Sequence, residues 1–564
     1  MSNAFRMLEY ASAILIVSLS SCLYLGRRLR QRLYVETTGA SDVPYLGQER
    51  PEHEKLHGTA IICGGSIAGL LSARICHNHF KRVVIIEPEP WLASEQAQMV
   101  EGWKQQHKRS RIVQYHSVQA QQALNLKAYR AMFPHFDEQA KASGIRIAAS
   151  DLKMCISGRF PGVPYDEYPD GLPETCFTSR QGLETLIRRL VKDTTKYPNI
   201  DYIVGSVSEY HPAAGNSTVL GGITVRNEHG ETDIRADLVI DCTGVFRAGV
   251  KMLKHAGYGF ADVYPKGKLS LDDIKLSYDP KMFYSTLELT IPPDLAKRLP
   301  IPGGMDDHPA IAMCLSNARK DRKTLYLIGI DGPYRIHISS GAWDIADLPK
   351  TIDGVKKFAS SMIMDVPLPS WLFQLLDMLG EDPQVHETMT VSYIRVPPSC
   401  YYRFHQAAKL PSNWVALGDS VMNINPIFGT GLAKAIYGLI CLSQILRTVP
   451  PGSSSTLNAQ STTLPADFST NFFNIQKAKI ENFWTSTKNA DYAQPTTVPV
   501  RGESLKKGAW MRWYMRRLRI VSLTDKATSS KFWHILNYLS PGIDALHPRF
   551  VFKVLWSYVK TPEI

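Results

Sequence analysis

Two glycine-rich stretches about 350 residues apart carry the residue types that bind phosphate and sugar. In the first, Gly64-Gly65-Ser66-Ile67-Ala68-Gly69 follows a short apolar, β-prone run (59–63) and opens a run of helical periodicity, LLSARICHNHF. A second buried strand, Val83-Val84-Ile85-Ile86, comes next and ends at Glu87. Strand, glycine turn, helix, strand and terminal acid within about 30 residues make the βαβ unit that grips a dinucleotide. Gly64, followed by Gly65, permits the tight turn, and Gly69 lets helix and strand approach. Ser66 and Ala68 stand at a helix start whose free N–H groups and positive dipole end suit a pyrophosphate. Ser66 replaces the middle glycine of the usual pattern and brings a hydroxyl donor. Glu87, 23 residues after Gly64, can accept from ribose hydroxyls.

The second stretch, residues 414–432 (WVALGDSVMNINPIFGTGL), delivers Gly418-Asp419 from a strand. It then turns through Pro426, Gly429 and Gly431 into an apolar helix, AKAIYGLICLSQIL. A carboxylate at such a turn suits hydrogen bonding to a polyol, and a glycine-flanked helix start suits a partial negative charge. Each stretch alone is also readable as a structural glycine turn; together they point to one shared ligand.

The pair GGSIAGLLSARI…VVIIEPE and ALGDSVMNINPIFGTGLAKA resembles the FAD-dependent monooxygenase superfamily, the aromatic-hydroxylase-like flavoproteins, and within it the natural-product tailoring branch, over residues 58–500. The resemblance implies that the first motif holds the adenosine and pyrophosphate of FAD and Asp419 the ribitol. The helix start from Pro426 to Gly431 would lie against the pyrimidine edge of the ring. It also implies a flavin-proximal turn in ADLVIDCTG (236–244), with Thr243 and Gly244, where hydroxylases carry an Asp in place of Thr243. Arg180, in SRQGLE (179–184), becomes a flavin or substrate contact. In RIVQYHSVQA (111–120), Gln114 and His116 match a helix start along the FAD, His116 being equally readable as structural. The implied chemistry is activation of oxygen on the reduced flavin as a hydroperoxide, which hydroxylates or epoxidises a lipophilic secondary metabolite. NADPH or NADH would be the electron donor, although no second dinucleotide motif is visible. No general base stands out; His116 and Arg180 are the first candidates, and no metal site is expected. Three rivals share parts of the pattern. A halogenase would carry GWxWxIP, which GAWDIA (341–346) does not supply; a flavin-dependent reductase of isoprenoid double bonds and a non-catalytic flavoprotein scaffold remain.

The elements that must position these residues read as α/β, and the resemblance implies a Rossmann-type FAD-binding domain of the glutathione-reductase kind with an inserted β-sheet substrate domain. A helical C-terminal layer and an N-terminal transmembrane helix are expected beside it. The expected division is 1–33 anchor, 34–57 linker, 58–250 and 410–449 FAD-binding domain, 251–409 substrate domain, 450–467 Ser/Thr-rich flexible loop, and 468–564 helical region. Runs 282–291, 310–315, 324–330 and 335–339 read as strands and 359–378 as a helix. Tyr401, Tyr402 and Arg403 can line the pocket or belong to the core.

With 564 residues, 44% of them apolar and 21% charged, the chain is neither disordered nor a polytopic membrane protein. Nine scattered Cys without a CxxC pair argue against a disulfide framework or structural zinc. The net charge of +12 sits at the ends: residues 1–33 carry five Arg against one Glu, residues 501–564 twelve Lys/Arg against four Asp/Glu, and the rest is neutral. That distribution excludes a nucleic-acid groove and suits an anionic membrane surface. Residues 10–25 (YASAILIVSLSSCLYL) are uncharged and precede Arg27, Arg28, Arg30 and Arg32. This order predicts a single-pass anchor rather than a cleaved signal, with the body in the cytosol, at the endoplasmic reticulum. WMRWYMRRLR (510–519) and the aromatic-rich 532–558 read either as interfacial helices or as a layer docked on the body. The expected partners are therefore a lipophilic substrate, oxygen and membrane lipids.

Overall fold

The computed structural model describes residues 3–109, 112–307, 309–451 and 464–560. Continuous apolar runs build its centre. Ala60–Cys63 and Val83–Ile86 are buried residue after residue, as parallel strands covered on both faces must be. Trp414–Ala416, Leu238–Asp241, Leu56–Cys63, Phe80–Glu87 and Ile200–Val204 lie side by side in that order, all parallel. Helix Ile67–His77 packs on this sheet and touches helices Arg180–Val191 and Gly431–Thr448. The chain is thus α/β, with the two glycine-rich stretches at the same edge of the sheet, on strands separated by Leu238–Asp241. Gly69 shows why no larger residue fits: a Cβ there would lie 1.7 Å from the Gly64 carbonyl oxygen.

A second sheet has the order Thr390–Arg395, Met282–Thr290, Arg335–Trp343, Lys323–Gly329, Ala310–Leu315, Met154–Ile156. Its pairings are antiparallel except the last, so its edge strand comes from within the span expected for the first domain. One face buries Leu287, Leu289, Ile336 and Ile338 against helices Ile352–Ser360 and Ser370–Glu381. The single helix expected at 359–378 is split in two, because Pro367 and Pro369 interrupt the backbone hydrogen bonding a helix needs. The opposite face presents hydroxyls and charges, Thr286, Ser339, Tyr326, Glu288 and His337, toward the first domain. A small sheet of Lys275–Tyr278, Ser399–Tyr402 and Met422–Asn423 joins the two halves.

Helix Phe468–Asp491 lies along Gly431–Thr448, and helices Ala509–Ser522, Lys526–Leu536 and Pro548–Lys560 follow. In Ala509–Ser522, Tyr514, Arg517 and Leu518 are buried, Tyr514 and Leu518 against Phe550 and Val554 of the last helix, and Trp510 is exposed. Residues 452–463 of the expected flexible loop lie outside the described residues. At the other end, Asn3–Thr37 is one helix. The transmembrane helix expected there is not found: among the described residues no helix is long and apolar enough to cross a membrane. The uncharged run spans only about 24 Å of helix against roughly 30 Å of hydrocarbon, and Ser12, Ser18, Ser20 and Ser21 dilute it. The side chains before Ile14 lie outside the described residues.

Candidate active site

A cavity of about 450 Å³ opens at the C-terminal ends of strands Leu56–Cys63, Leu238–Asp241 and Trp414–Ala416. The glycine turn at 64–69 and the loop at 418–431 form two of its walls, so residues far apart in the chain meet there. Gly64, Ser66, Ala68, Glu87, Gln114, Arg180, Thr243, Gly244, Asp419, Pro426, Gly429 and Gly431 line it. Gly65, Gly69 and His116 do not. Gly65 stands behind the wall, its N–H donating to Glu87 Oε2 at 2.7 Å. His116 is not among the lining residues and shares a hydrogen bond with Ser392 Oγ at 3.4 Å. Tyr401 is core, against Trp484, and neither Tyr402 nor Arg403 lines the cavity.

Two helices present their N-termini to the cavity without side-chain caps. Helix Ile67–His77 starts at Ser66, whose hydroxyl makes no cap bond, and helix Gly431–Thr448 starts at Thr430, also without one. The unmet N–H groups of a first helical turn, with the positive dipole end, attract an anion or an electron-rich edge. The turns that bring them there require left-handed backbone, φ +114° at Gly64 and +67° at Gly429.

At the Ser66 end the cavity wall is a network of buried charges. Ser66 Oγ donates to Glu184 Oε2 (2.9 Å) and accepts from Arg180 (2.8 Å). Glu184, fully buried, also receives Arg109 (2.6 Å) and Arg188 (2.7 Å). Burial alone would push its carboxyl up, but Arg109, Arg180 and Arg188 together hold it well below the usual carboxylate range. Helix Arg180–Val191 is fixed at its start by Ser179 Oγ accepting from Gly182 N (3.0 Å) and by Asp331 accepting from Ser179 N (2.6 Å). This sets Arg180 at the cavity. Glu87 is nearly inaccessible and already accepts from the Gly65 and Glu89 N–H groups, with Arg109 at 3.5 Å. Burial raises its pKa.

Toward the other end, Asp419 accepts from Lys434 Nζ at 2.6 Å, and that ammonium also bonds the Met422 carbonyl. Thr243 spends its hydroxyl on structure, donating to Asp241 Oδ1 (2.7 Å) and accepting from Ala248 N (2.9 Å). Behind the Pro426 turn, Asn425 caps Ile427 N (3.2 Å) and donates to Asp491 Oδ1 (2.8 Å). Asp491 also accepts from Tyr278 (2.8 Å) and Trp343 Nε1 (2.9 Å), three neutral donors from three elements. The Trp343 indole of GAWDIA is thereby committed to this structural contact. Beside the turn lies a small chamber of about 30 Å³ touched by Ser117, Tyr284, Met313, Tyr326 and Ser339. The Tyr326 hydroxyl donates to the Ile427 carbonyl (3.3 Å), and the buried Tyr284 hydroxyl sits near Ser117, without a regular hydrogen bond among the described residues.

Arg109, Lys434, Asn425 and Asp491 are functional candidates that sequence reasoning missed. Lys434 left a signal: a lone cation in the first turn of an otherwise apolar helix, where the dipole disfavours it, needs a nearby anion. Asp491, some 70 residues after the Pro426 turn in an unremarkable helix, left none.

No protein-family model matches the chain, and no curated protein matches it in sequence. Solved structures do match. The flavin-dependent brominase Bmp2 aligns over 90% of this chain and 100% of its own, with a TM-score of 0.51 and 13% identity. 2-Methyl-3-hydroxypyridine-5-carboxylic acid oxygenase aligns over 78% of this chain and 91% of its own, at a TM-score of 0.48 and 13% identity. PqsL from Pseudomonas aeruginosa, a probable FAD-dependent monooxygenase, aligns over 78% and 98%, at 0.46 and 14%. At 13% identity the likeness to the brominase is one of fold, and it extends over the whole of that flavoprotein.

Proposed function

We propose that this chain is an FAD-dependent monooxygenase that hydroxylates or epoxidises a lipophilic small molecule. The observation that carries the reading is the pair of uncapped helix starts, at Ser66 and Thr430, opening on one elongated cavity. The residues present fit FAD. The Ser66 helix start, with Arg180 and Arg109 beside it, suits the pyrophosphate. Asp419 suits the ribityl hydroxyls, and the helix start at Gly431 suits negative charge on the pyrimidine edge.

FAD, when bound, supplies the electron transfer and the oxygen activation. The chain's own residues bind, orient and exclude water. The second sheet closes over the Pro426 turn with Met313, Tyr326 and Tyr284. The Tyr284 hydroxyl, buried in the small chamber beside Ser117, would hold a polar atom of an otherwise apolar substrate, because a buried hydroxyl without a regular hydrogen bond is unfavourable. NADPH or NADH would deliver the electrons.

The test begins with the full chain's absorbance spectrum after purification. Flavin bands, bleached by NADPH or NADH and restored by air, are expected. Substrate-dependent oxygen uptake, with labelled oxygen entering product, supports the monooxygenase. Reduction of an isoprenoid double bond without oxygen uptake would assign the chain to the reductases. Bound flavin that no nicotinamide reduces would leave a scaffold.

A further inference from the structure

Helix Pro548–Lys560 is apolar on two sides. Phe550 and Val554 are buried against Tyr514, Leu518 and Val521 of helix Ala509–Ser522, whereas Phe552, Leu555, Trp556 and Val559 stand 66%, 50%, 53% and 69% exposed. The spacing 552, 555, 556, 559 is that of a single helical face, so these side chains form one stripe directed at solvent, with Phe552 stacked on Trp556. A contiguous exposed stripe of this kind marks a contact surface rather than scattered surface apolar residues.

The stripe is joined to the N-terminal helix. Arg30 makes a bidentate bond to Asp544 (2.7 and 2.8 Å), four residues before Pro548, and the turn Gly542–Leu546 touches both helices. Helix Asn3–Thr37 leaves Ile14, Val17, Tyr24, Leu25 and Leu29 exposed, with Arg27 and Arg28 between the last two and Arg32, paired with Glu36, after them. Lys560 lies over the Trp556 ring, its charge at the edge of the stripe. The chain's positive excess thus lies in the two terminal segments that meet here, while residues 34–500 are neutral. Aromatic and aliphatic side chains edged by Lys and Arg match the headgroup boundary of an anionic bilayer, where rings sit among acyl chains and cations reach phosphates.

We propose that helix Pro548–Lys560, together with the exposed part of helix Asn3–Thr37, docks the protein in the plane of an anionic lipid surface. The protein lies on the membrane instead of crossing it. This inference takes its purpose, access to lipophilic substrates, from the monooxygenase reading, but its geometry does not depend on flavin.

The full chain is sedimented with vesicles of phosphatidylcholine alone and of phosphatidylcholine with about one third phosphatidylserine, at low salt and at about 0.5 M salt. Binding to the anionic vesicles, weakened by salt, is expected. A variant with Phe552→Ser, Leu555→Ser, Trp556→Ser and Val559→Ser is expected to lose about tenfold or more in apparent affinity while keeping its unfolding temperature and any bound flavin. Arg27→Gln with Arg28→Gln is expected to lower binding to anionic vesicles only. Equal binding by the four-residue variant would overturn the proposal. So would its retention on vesicles after alkaline carbonate, which shows a crossing helix, or a wild-type dimer that the variant breaks without any vesicle binding. A wild type that binds vesicles but no flavin would sink the monooxygenase reading and leave this one standing.

Discussion

The two ends of the long cavity are built on opposite electrostatic plans. At the Ser66 end, Glu184 is ringed by Arg109, Arg180 and Arg188, with Glu87 and Glu89 around Arg109. At the Pro426 end the buried acid, Asp491, faces no cation; Tyr278, Trp343 and Asn425 satisfy it with neutral hydrogen bonds. The first plan suits a permanently charged pyrophosphate, since arginines already held in place lose little freedom on binding. The second holds the Pro426 turn by neutral donors, and the one ion pair near it, Asp419–Lys434, is internally compensated; under the proposed function the ring would lie beside that turn. The contrast argues that each end is matched to a different part of one ligand.

Breaking the charged end has the largest expected effect. Glu184→Gln leaves Arg188, itself fully inaccessible, and Arg109 without their central anion. Removing one partner of a buried ion cluster destabilises by about 3–5 kcal/mol. Thermal unfolding is the readout, and a change under about 1 kcal/mol, the size expected of a surface pair, would show that the cluster is not stabilised by Glu184. Asp419→Asn comes next. It keeps the shape at the turn but removes the charge facing Lys434, and flavin affinity is expected to fall by about ten- to a hundredfold, the loss of one charge-assisted bond. Fluorescence titration with FAD checks it. Full affinity would remove Asp419 from the ligand.

Much of this contrast was legible in the sequence at the first end and little at the second. GGSIAGL carries its geometry locally, because a glycine turn, a helix and a strand specify one another over a few residues. Asp419 and Pro426–Gly431 were legible for the same reason. Arg109 and Asp491 were not, since each enters the site through a contact between distant segments that no local spacing encodes. Ser66 shows the intermediate case: its position at the turn was readable, but its hydroxyl is taken by Glu184 and Arg180. The N-terminal helix was readable as a helix; its membrane-crossing role did not follow, because sixteen residues broken by serines are short and only weakly apolar.

Asp491 sharpens the comparison through pH. Burial raises its pKa to about 6, against the pull of its three donors. The folded protein therefore holds a proton there that the unfolded chain releases near pH 4. This contribution to stability is full below about pH 4 and declines as the pH rises to about 6, by roughly 3 kcal/mol for a shift of about two pH units. In Asp491→Asn that part of the pH dependence should vanish. Unfolding temperatures of both proteins between about pH 4.5 and 7 test it, and parallel curves would place the titration elsewhere.

The smallest effect belongs to Tyr326, and it reports on the neutral end most directly. Its hydroxyl reaches from the second sheet to the Ile427 carbonyl at 3.3 Å, a long neutral hydrogen bond between the sheet and the turn that carries Pro426 and Gly429. Tyr326→Phe removes the hydroxyl and leaves the ring in place, so the expected loss of stability is about 0.5–1 kcal/mol. Because the bond ties the turn to the sheet, the same change should shift the flavin absorbance maxima slightly while leaving FAD affinity within about twofold, an effect below 0.5 kcal/mol. A large loss of affinity instead would mean that the sheet, and not the Asn425–Asp491 pair, holds the turn in place. The neutral end would then depend on the lid above it rather than on the helix behind it.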